Sequence, residues 1–207
     1  MTDRAVDPPR RGRPRSEQAR LAILRAASEL LEERDVADIT VCDVAERAGT
    51  SKATIYRWWD SREAVVLDAY VSKLSQSAVR VPHTGSLHAD LLALLRARVR
   101  RWRAHPELGR SQVHLLAAIQ HDEQLRRTYV DQVVTVLRGP ARAIFEAAAE
   151  RGEMRPDMDV DVALDLIYGP LYHRLFHGHA PLDEKFVATV VDLVVAGVSQ
   201  EQPLTVR

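Results

Sequence analysis

The stretch from residue 40 to residue 59, TVCDVAERAG followed by TSKATIYRWW, decides the fold. Ala45 and Gly49 lie four residues apart, and Ile55 follows six residues after the glycine. A small residue at position 45 lets a following helix approach closely, glycine can take the positive φ of a short turn, and Ile55 can fill the junction. The spacing predicts a helix-turn-helix. An ordinary αα-corner, which uses the same glycine, is the alternative.

Helical periodicity continues on both sides of this unit. Thr40 with Asp43, and Asp60 with Glu63, have the spacing of capping boxes and predict helix starts. Gly139–Pro140 and Gly169–Pro170 predict kinks inside two long helices. No segment has the pattern of a strand. In chain order, the predicted helices cover residues 16–34, 41–48, 51–59, 60–78, 87–104, 107–120, 122–150, 159–177 and 182–199.

These patterns predict an all-α protein of about nine helices in two domains. Residues 81–86, VPHTGS, have the composition of a loop and mark the boundary. The first domain, residues 16–79, contains the three-helix unit and a connecting helix. The second, residues 86–199, is a helical bundle. Residues 1–15 are expected to form a flexible basic arm and residues 200–207 a flexible tail.

Composition narrows the class of protein. The chain has 207 residues, 46% of them hydrophobic, and its single cysteine, Cys42, leaves no pair for a disulfide or a zinc site. It has no apolar run of about 20 residues and no apolar leader near its Arg-rich start, so we expect a cytoplasmic protein without a membrane partner. The net charge is zero, yet residues 10–20 hold five arginines against one glutamate. A polyanion responds to this local excess rather than to net charge.

The third helix has two different sides when its residues are placed at steps of about 100°. Trp58 and Trp59 fall beside Ile55 on the buried side. The outward side carries Ala53, Thr54, Tyr56 and Arg57. That side is short, polar and positive, which fits the major groove of DNA, and Arg57 can donate two hydrogen bonds to a guanine edge.

Phosphate contacts are predicted around this helix, from the side chains of Lys52 and Arg62 and from free N–H groups at the helix starts. The predicted DNA-binding residues are Arg10, Arg11, Arg13, Arg15, Thr40, Thr50, Ser51, Lys52, Ala53, Thr54, Tyr56, Arg57, Trp58 and Arg62.

Residues 16–68 resemble the DNA-binding domain of the TetR family of bacterial transcriptional regulators. The resemblance rests on TVCDVAERAG (40–49), TSKATIYRWW (50–59) and DSREA (60–64), which are similar to the second helix, the recognition helix and the start of the fourth helix of that family. It implies a small-molecule pocket in the second domain and a dimer formed through the last two helices. The chain departs from the family at Asp35, where glycine is common, and at Trp58 and Trp59, where a His and a Phe or Val are common.

The segment RRGRPR, residues 10–15, precedes the first helix. Pro14 favours an extended backbone at Arg13, and the central Gly-Arg-Pro resembles an AT-hook. Arginines in such an arm suit the narrow minor groove of A·T-rich DNA. A disordered basic tail that adds only sequence-independent affinity explains the segment equally well.

The last predicted helix is apolar on two sides, and the preceding helix is similarly rich in apolar residues. One side can cover the bundle, so the other is expected to meet a second subunit. The predicted interface residues are Leu171, Leu175, Phe176, Phe186, Val187, Val190, Val191 and Val194. A monomer with a fully buried last helix is the alternative. In a two-fold dimer, recognition helices about 34 Å apart would bind a near-palindrome.

A pocket is harder to predict from sequence. Large or polar residues on otherwise apolar helices are candidates for its lining, and each also fits ordinary packing: Trp102, His114, His121, Tyr129 and Tyr168. His173, His177 and His179 lie close in sequence, but no cysteine or well-spaced carboxylate completes a ligand set. We therefore predict no metal and no cofactor.

The leading hypothesis is a repressor that binds a palindromic operator as a homodimer, on the bacterial nucleoid, and is released by a small-molecule effector. The alternative is an architectural A·T-preferring DNA-binding protein without an effector. An enzyme is not expected, because the chain has no Gly-x-Ser-x-Gly elbow, phosphate-binding loop or His-Glu-x-x-His pair.

Overall fold

A computed structural model describes residues 13–75 and 81–199, with the side chains of residues 13–16 also left out of the description. The helices are α1 (Arg13–Glu33), α2 (Val41–Arg47), α3 (Lys52–Tyr56), α4 (Arg62–Ser75), α5 (Leu87–Ala104), α6 (Pro106–Ala118), α7 (Glu123–Tyr129), α8 (Thr135–Glu150), α9 (Val160–His177) and α10 (Glu184–Val198). A π-helical segment, Val130–Val134, joins α7 to α8. With that run counted as one helix, the described residues form nine helices, and the all-α prediction is confirmed.

The first helix begins earlier than predicted. It starts at Arg13 and not at Ser16. Pro14 falls in the first turn, where its missing N–H costs no helical hydrogen bond and its φ already suits the helix. The prediction of extended backbone for residues 13–15 is therefore wrong. The remainder of the predicted arm, with Arg10 and Arg11, lies outside the described residues, as does the predicted tail, 200–207.

Two helix ends in the first domain also differ from the prediction. α3 ends at Tyr56 and not at Trp59, since the N–H of Trp58 bonds to the Ile55 carbonyl three residues back, at 2.9 Å. α4 begins after Ser61, whose hydroxyl accepts the N–H of Ala64 at 3.1 Å. Ser61 therefore caps α4 in place of Asp60. The end predicted at residue 78 falls in the undescribed segment 76–80.

The chain divides into two compact units, residues 1–69 and 70–207. In the first unit, α1, α2, α3 and the start of α4 enclose buried apolar side chains that include Ile23, Val44 and Ile55. The division falls inside α4, because Val66 belongs to this core whereas Tyr70 lies with the second unit. The loop at residues 81–86, the predicted boundary, lies wholly within the second unit.

The second unit is a helical bundle. Its main core lies between α5, α8, α9 and α10 and includes Leu91, Phe145, Ile167 and Val191. Gly178 ends α9 in the left-handed region, with φ of 59°. An isolated antiparallel bridge between Met154 and Ser199 ties down the end of α10. Among the residues described in both units, no helix is long and apolar enough to cross a membrane.

Candidate functional site

The start of α2 is held by a capping box. The Thr40 hydroxyl accepts the N–H of Asp43 at 3.2 Å, and the Asp43 carboxylate accepts the N–H of Thr40 at 2.7 Å and its hydroxyl at 2.6 Å. These bonds confirm the predicted box and hold the pKa of Asp43 below its usual value. At the end of α2, Gly49 has a φ of +62°, which confirms the predicted need for glycine in the turn.

The inner side of α3 holds the helix in place. Ile55 is fully buried, and Trp59 is buried beside it, as the helical wheel predicted. The indole N–H of Trp59 donates to the Asp68 carboxylate on α4 at 3.0 Å. Ser51, rather than Thr50, caps α3, because its hydroxyl accepts the N–H of Thr54 at 3.2 Å. The position of α3 is thus set by both packing and hydrogen bonds.

The outer side of α3 is exposed and positively charged. We define the α3 face by its exposed side chains: Lys52, Ala53, Tyr56, Arg57 and Trp58. The helical wheel placed Trp58 on the buried side, which is wrong: it is 38% exposed. The reason is that α3 ends at Tyr56, so the wheel does not extend to position 58. Ser51 and Thr40 are exposed next to this face, and Thr50 and Thr54 are half-buried.

Arg62 has a structural position. Its guanidinium donates to the carbonyls of Val36, Ala37 and Ile39 at 3.1 to 3.3 Å and pairs with Glu63 at 2.8 Å. These bonds fix the 3₁₀ turn at Val36–Asp38 against the start of α4. The predicted phosphate contact of Arg62 is therefore corrected to an internal one.

Cys42 lies beside Lys52 at the edge of the α3 face, a proximity that sequence spacing did not reveal. Cys42 is exposed, and its hydrogen bonds with Lys52 and Thr40 hold the pKa of the thiol below its usual value. The same contact raises the pKa of Lys52. The lysine is thus fully charged at the expected DNA surface.

The second unit contains a cavity of about 400 Å³ between α6, α9 and the continuous run from α7 through the π-helical segment to α8. Two of the five predicted pocket residues, Tyr129 and Tyr168, line it. A third, Trp102, lines a separate cavity of about 140 Å³. His114 and His121 line neither. On α6, Gln112 faces the larger cavity, so His114, two positions later on the helix, points about 200° away from it. His121 is exposed in the turn that follows α6.

Gln112 and Tyr172 are lining residues that the sequence analysis missed. The Gln112 amide donates to the hydroxyls of Tyr129 and Tyr172 at 3.2 and 3.3 Å. Tyr172 also contacts the Trp102 ring, with centroids 5.7 Å apart. No local pattern marks these residues, because Gln112 and Tyr172 are 60 positions apart in the chain.

The predicted dimer face requires correction. Five of its residues are buried in the core of their own bundle: Leu171, Val187, Val190, Val191 and Val194. Leu175 and Phe186 are half-buried, and Phe176 borders the large cavity. The large apolar residues left exposed on α9 and α10 include Val162, Leu166 and Leu193, with Leu193 70% exposed. Both helix sides are apolar in sequence, so only packing against the other helices of the bundle distinguishes them.

The three histidines of α9 and its C-terminal turn lie close together. The ring centroids of His173, His177 and His179 are 4.6 to 6.4 Å apart, and all three side chains are exposed. Within the part of the chain that the structure describes, no group of three or more potential ligands is arranged to hold a metal ion.

Comparisons with known proteins match both parts of the chain. Residues 23–69 match the family model described as bacterial regulatory proteins, tetR family. Residues 81–194 match the model described as tetracyclin repressor-like, C-terminal domain. The first match contains α2, α3 and the C-terminal half of α1. The second contains the parts of both cavity walls that lie on α5 to α9.

Relatives match over nearly the whole chain. The uncharacterized HTH-type transcriptional regulator YdeS of Bacillus subtilis is 36% identical over 91% of this chain and 94% of that protein. The DNA-binding transcriptional repressor TetR of Mycobacteroides abscessus is 31% identical over 87% of this chain and 94% of that protein. The crystal structure of the TetR family transcription regulator SCO0332 has a TM-score of 0.73 and 36% identity, covering 87% of this chain and 98% of that one. The chain belongs to the TetR family of helix-turn-helix transcriptional regulators.

Proposed function

We propose that the protein is a repressor that binds a near-palindromic operator as a homodimer and is released when a small molecule occupies the 400 Å³ cavity. It acts in the bacterial cytoplasm, on the nucleoid. The observation that carries the DNA-binding part is the α3 face. It presents a lysine, an arginine and two aromatic side chains to solvent while Ile55 and Trp59 anchor the same helix from behind.

Each member of the α3 face has a role that fits its chemistry. Arg57 binds the edge of a guanine through two N–H groups, and Ala53 contacts a thymine methyl. Lys52 and the Tyr56 hydroxyl bind phosphates and set the orientation on the duplex. Trp58 packs on the backbone sugars. Thr40, Thr50, Ser51 and Thr54 border these contacts.

The homodimer forms through the exposed side of α9 and α10. Val162, Leu166 and Leu193 are large apolar residues on the last two helices that the protomer leaves in water. Covering them against a two-fold related copy would remove apolar surface from solvent on both subunits. Two recognition helices then meet successive major grooves, about 34 Å apart.

Effector release works through the packing around Leu137. This residue lines both cavities, and the smaller cavity is also lined by Tyr70 and Leu74 of α4. Arg101 holds the end of the same helix by donating to the Lys73 carbonyl at 3.1 Å. A molecule that moves Leu137 therefore changes the packing around Tyr70 and Leu74 of α4, a helix whose residues belong partly to each unit. A coupling of roughly 1–3 kcal/mol is enough to shift the population of DNA-bound protein.

A footprint of the purified protein on the DNA flanking its own coding region tests the proposal. We expect protection of one near-palindrome, relieved by an effector. Protection spread over A·T-rich DNA, unaffected by small molecules, would instead support an architectural protein. The 400 Å³ cavity favours the first outcome, because an architectural protein has no need of one.

A further inference from the structure

The large cavity has a polar end built around Gln112. This side chain is only 2% exposed, and its amide nitrogen donates to the hydroxyls of Tyr129 and Tyr172. Its amide oxygen, Oε1, is buried and has no hydrogen-bond partner among the described residues. Buried polar atoms are nearly always hydrogen-bonded in folded proteins. An unpaired acceptor in a cavity wall therefore indicates a ligand group that donates a hydrogen bond to it.

The two tyrosines add donors at the same end. Each hydroxyl oxygen accepts a hydrogen bond from Gln112, so each hydroxyl proton remains available for another acceptor. Burial raises the pKa of Tyr129, which keeps its hydroxyl protonated near neutral pH. The polar end thus offers one hydrogen-bond acceptor, Gln112 Oε1, and two donors, the hydroxyls of Tyr129 and Tyr172. A ligand hydroxyl, which both donates and accepts, matches this set.

The remaining wall is mainly apolar and partly aromatic. Leu116, Val133 and Val134 supply aliphatic surface. The rings of Tyr172 and Phe176 stack, with centroids 5.5 Å apart and planes 13° from parallel. Together they make a flat wall that suits a planar ring more than a bulky aliphatic group.

Charge at the cavity is already compensated. Among the described residues, Arg138 is the basic member of the lining; it pairs with Asp165, also in the lining, at 2.9 Å and lies 3.6 Å from Asp161. A charged ligand would lose its hydration without gaining a free counter-ion there. The pairing of Arg138 with Asp165 therefore favours a neutral ligand over a charged one.

We propose that this cavity binds a neutral, planar aromatic molecule with one hydroxyl group, which donates to Gln112 Oε1 and accepts from Tyr129 or Tyr172. This inference rests on the proposed function, in which the same cavity is the effector site. A volume of about 400 Å³ fits a ligand of two or three rings.

Three stilbenes of the same skeleton test the proposal by calorimetric titration of the full-length protein. 4-Hydroxystilbene can donate and accept, 4-methoxystilbene can only accept, and stilbene-4-carboxylate is charged. We expect the hydroxyl compound to bind about tenfold more tightly than the methoxy compound, and the carboxylate to bind most weakly. Equal binding of the first two, tightest binding of the carboxylate, or no binding of any of the three would overturn the proposal.

Variants assign the preference to the polar end. Gln112→Leu should abolish the hydroxyl-over-methoxy preference. Tyr172→Phe keeps the ring, and any weakening it causes should be shared by both compounds, because both can accept from the tyrosine hydroxyl. The matched control is Gln120→Leu, because Gln120 is an exposed glutamine outside the cavity lining. Thermal melting checks that each variant folds. A preference that survives Gln112→Leu contradicts the assignment.

DNA release is measured separately, by fluorescence anisotropy of labelled operator DNA. If 4-hydroxystilbene binds with the expected preference but leaves the DNA bound, the cavity assignment stands and the proposed release mechanism fails. If DNA is released by compounds that ignore the hydroxyl, the release mechanism stands and the ligand class is wrong.

Discussion

The indole N–H of Trp59 donates to the carboxylate of Asp68 across 3.0 Å, which connects the turn after α3 to the middle of α4. Arg20 of α1 lies 3.6 Å from the same carboxylate oxygen. Residues of α1, of the turn after α3 and of α4 therefore meet around the Asp68 carboxylate. This arrangement holds α3 from its inner side and leaves the α3 face, the proposed DNA-binding surface, exposed.

Replacing Asp68 with leucine should destabilise the protein by about 1–3 kcal/mol, because the buried indole N–H would lose its acceptor. Urea unfolding followed by circular dichroism measures the loss. Trp59→Phe removes the donor. Adding Asp68→Leu to the Trp59→Phe variant should therefore lower the free energy of unfolding by clearly less than Asp68→Leu does in the unaltered protein. Equal costs in both backgrounds would show that the bond contributes nothing.

Arg57→Ala should relax base preference at one position in each operator half-site by roughly 1–3 kcal/mol. The reason is that Arg57 is exposed on the α3 face and is proposed to bind a guanine edge. Competition binding against operators with single base changes measures the effect. Arg25→Ala is the control, since Arg25 is exposed on α1 and pairs with Glu29. An unaltered preference in Arg57→Ala removes Arg57 from base recognition.

Deleting residues 1–12 should weaken DNA binding and flatten its salt dependence. The segment contains Arg4, Arg10 and Arg11, and the deletion leaves α1 complete. The slope of log K against log salt is negative, and its magnitude should decrease by about one unit for each phosphate that the shortened protein no longer neutralises. Titrations at several salt concentrations give the slope, and a slope equal to that of the full chain would show that the arm does not touch DNA.

Leu193→Glu should convert the proposed homodimer to a monomer. Leu193 is 70% exposed in the protomer, so the substitution spares the core but places like charges opposite each other across a two-fold axis. Sedimentation equilibrium measures the mass. Leu21→Glu, an equivalent change at an exposed leucine of α1, should leave the mass unchanged. A dimer that survives Leu193→Glu must use another surface.

Cys42 should react with iodoacetamide faster in the folded protein than in the protein unfolded by urea. The hydrogen bond from Lys52 is the largest cause of the lowered thiol pKa, so near neutral pH the folded state contains more thiolate. The difference should disappear at high pH, where both states are ionised. Because Cys42 is the only cysteine, total labelling reports on it alone. Lys52→Met should slow the folded-state reaction; an unchanged rate would contradict the assigned contact.

Local patterns predicted the helix-turn-helix well. The capping box of Thr40 and Asp43 and the positive φ of Gly49 depend on residues within one turn of the chain. Helical periodicity likewise placed α5 at Leu87–Ala104, as predicted. Such features are predictable because their physical causes act over three or four residues.

Features that depend on distant residues were predicted poorly. The sequence predicts a phosphate contact for Arg62, yet its carbonyl partners lie 23 to 26 residues earlier in the chain. The helical wheel places Trp58 on the wrong side because α3 ends at Tyr56 and the next turn is held by the bond from Trp59 to Asp68, nine residues later in the chain. Neither outcome has a signal in the nearby sequence.

The sequence by itself determined the helical class, the recognition unit and the family, since each follows from short-range spacing of residue types. Tertiary structure alone decided which apolar side of α10 became core, leaving Leu193 in water and Val191 buried. It also brought Gln112, Tyr129 and Tyr172 together around one cavity. Burial and cavity shape arise from several helices packing at once, and no single segment of the chain encodes them.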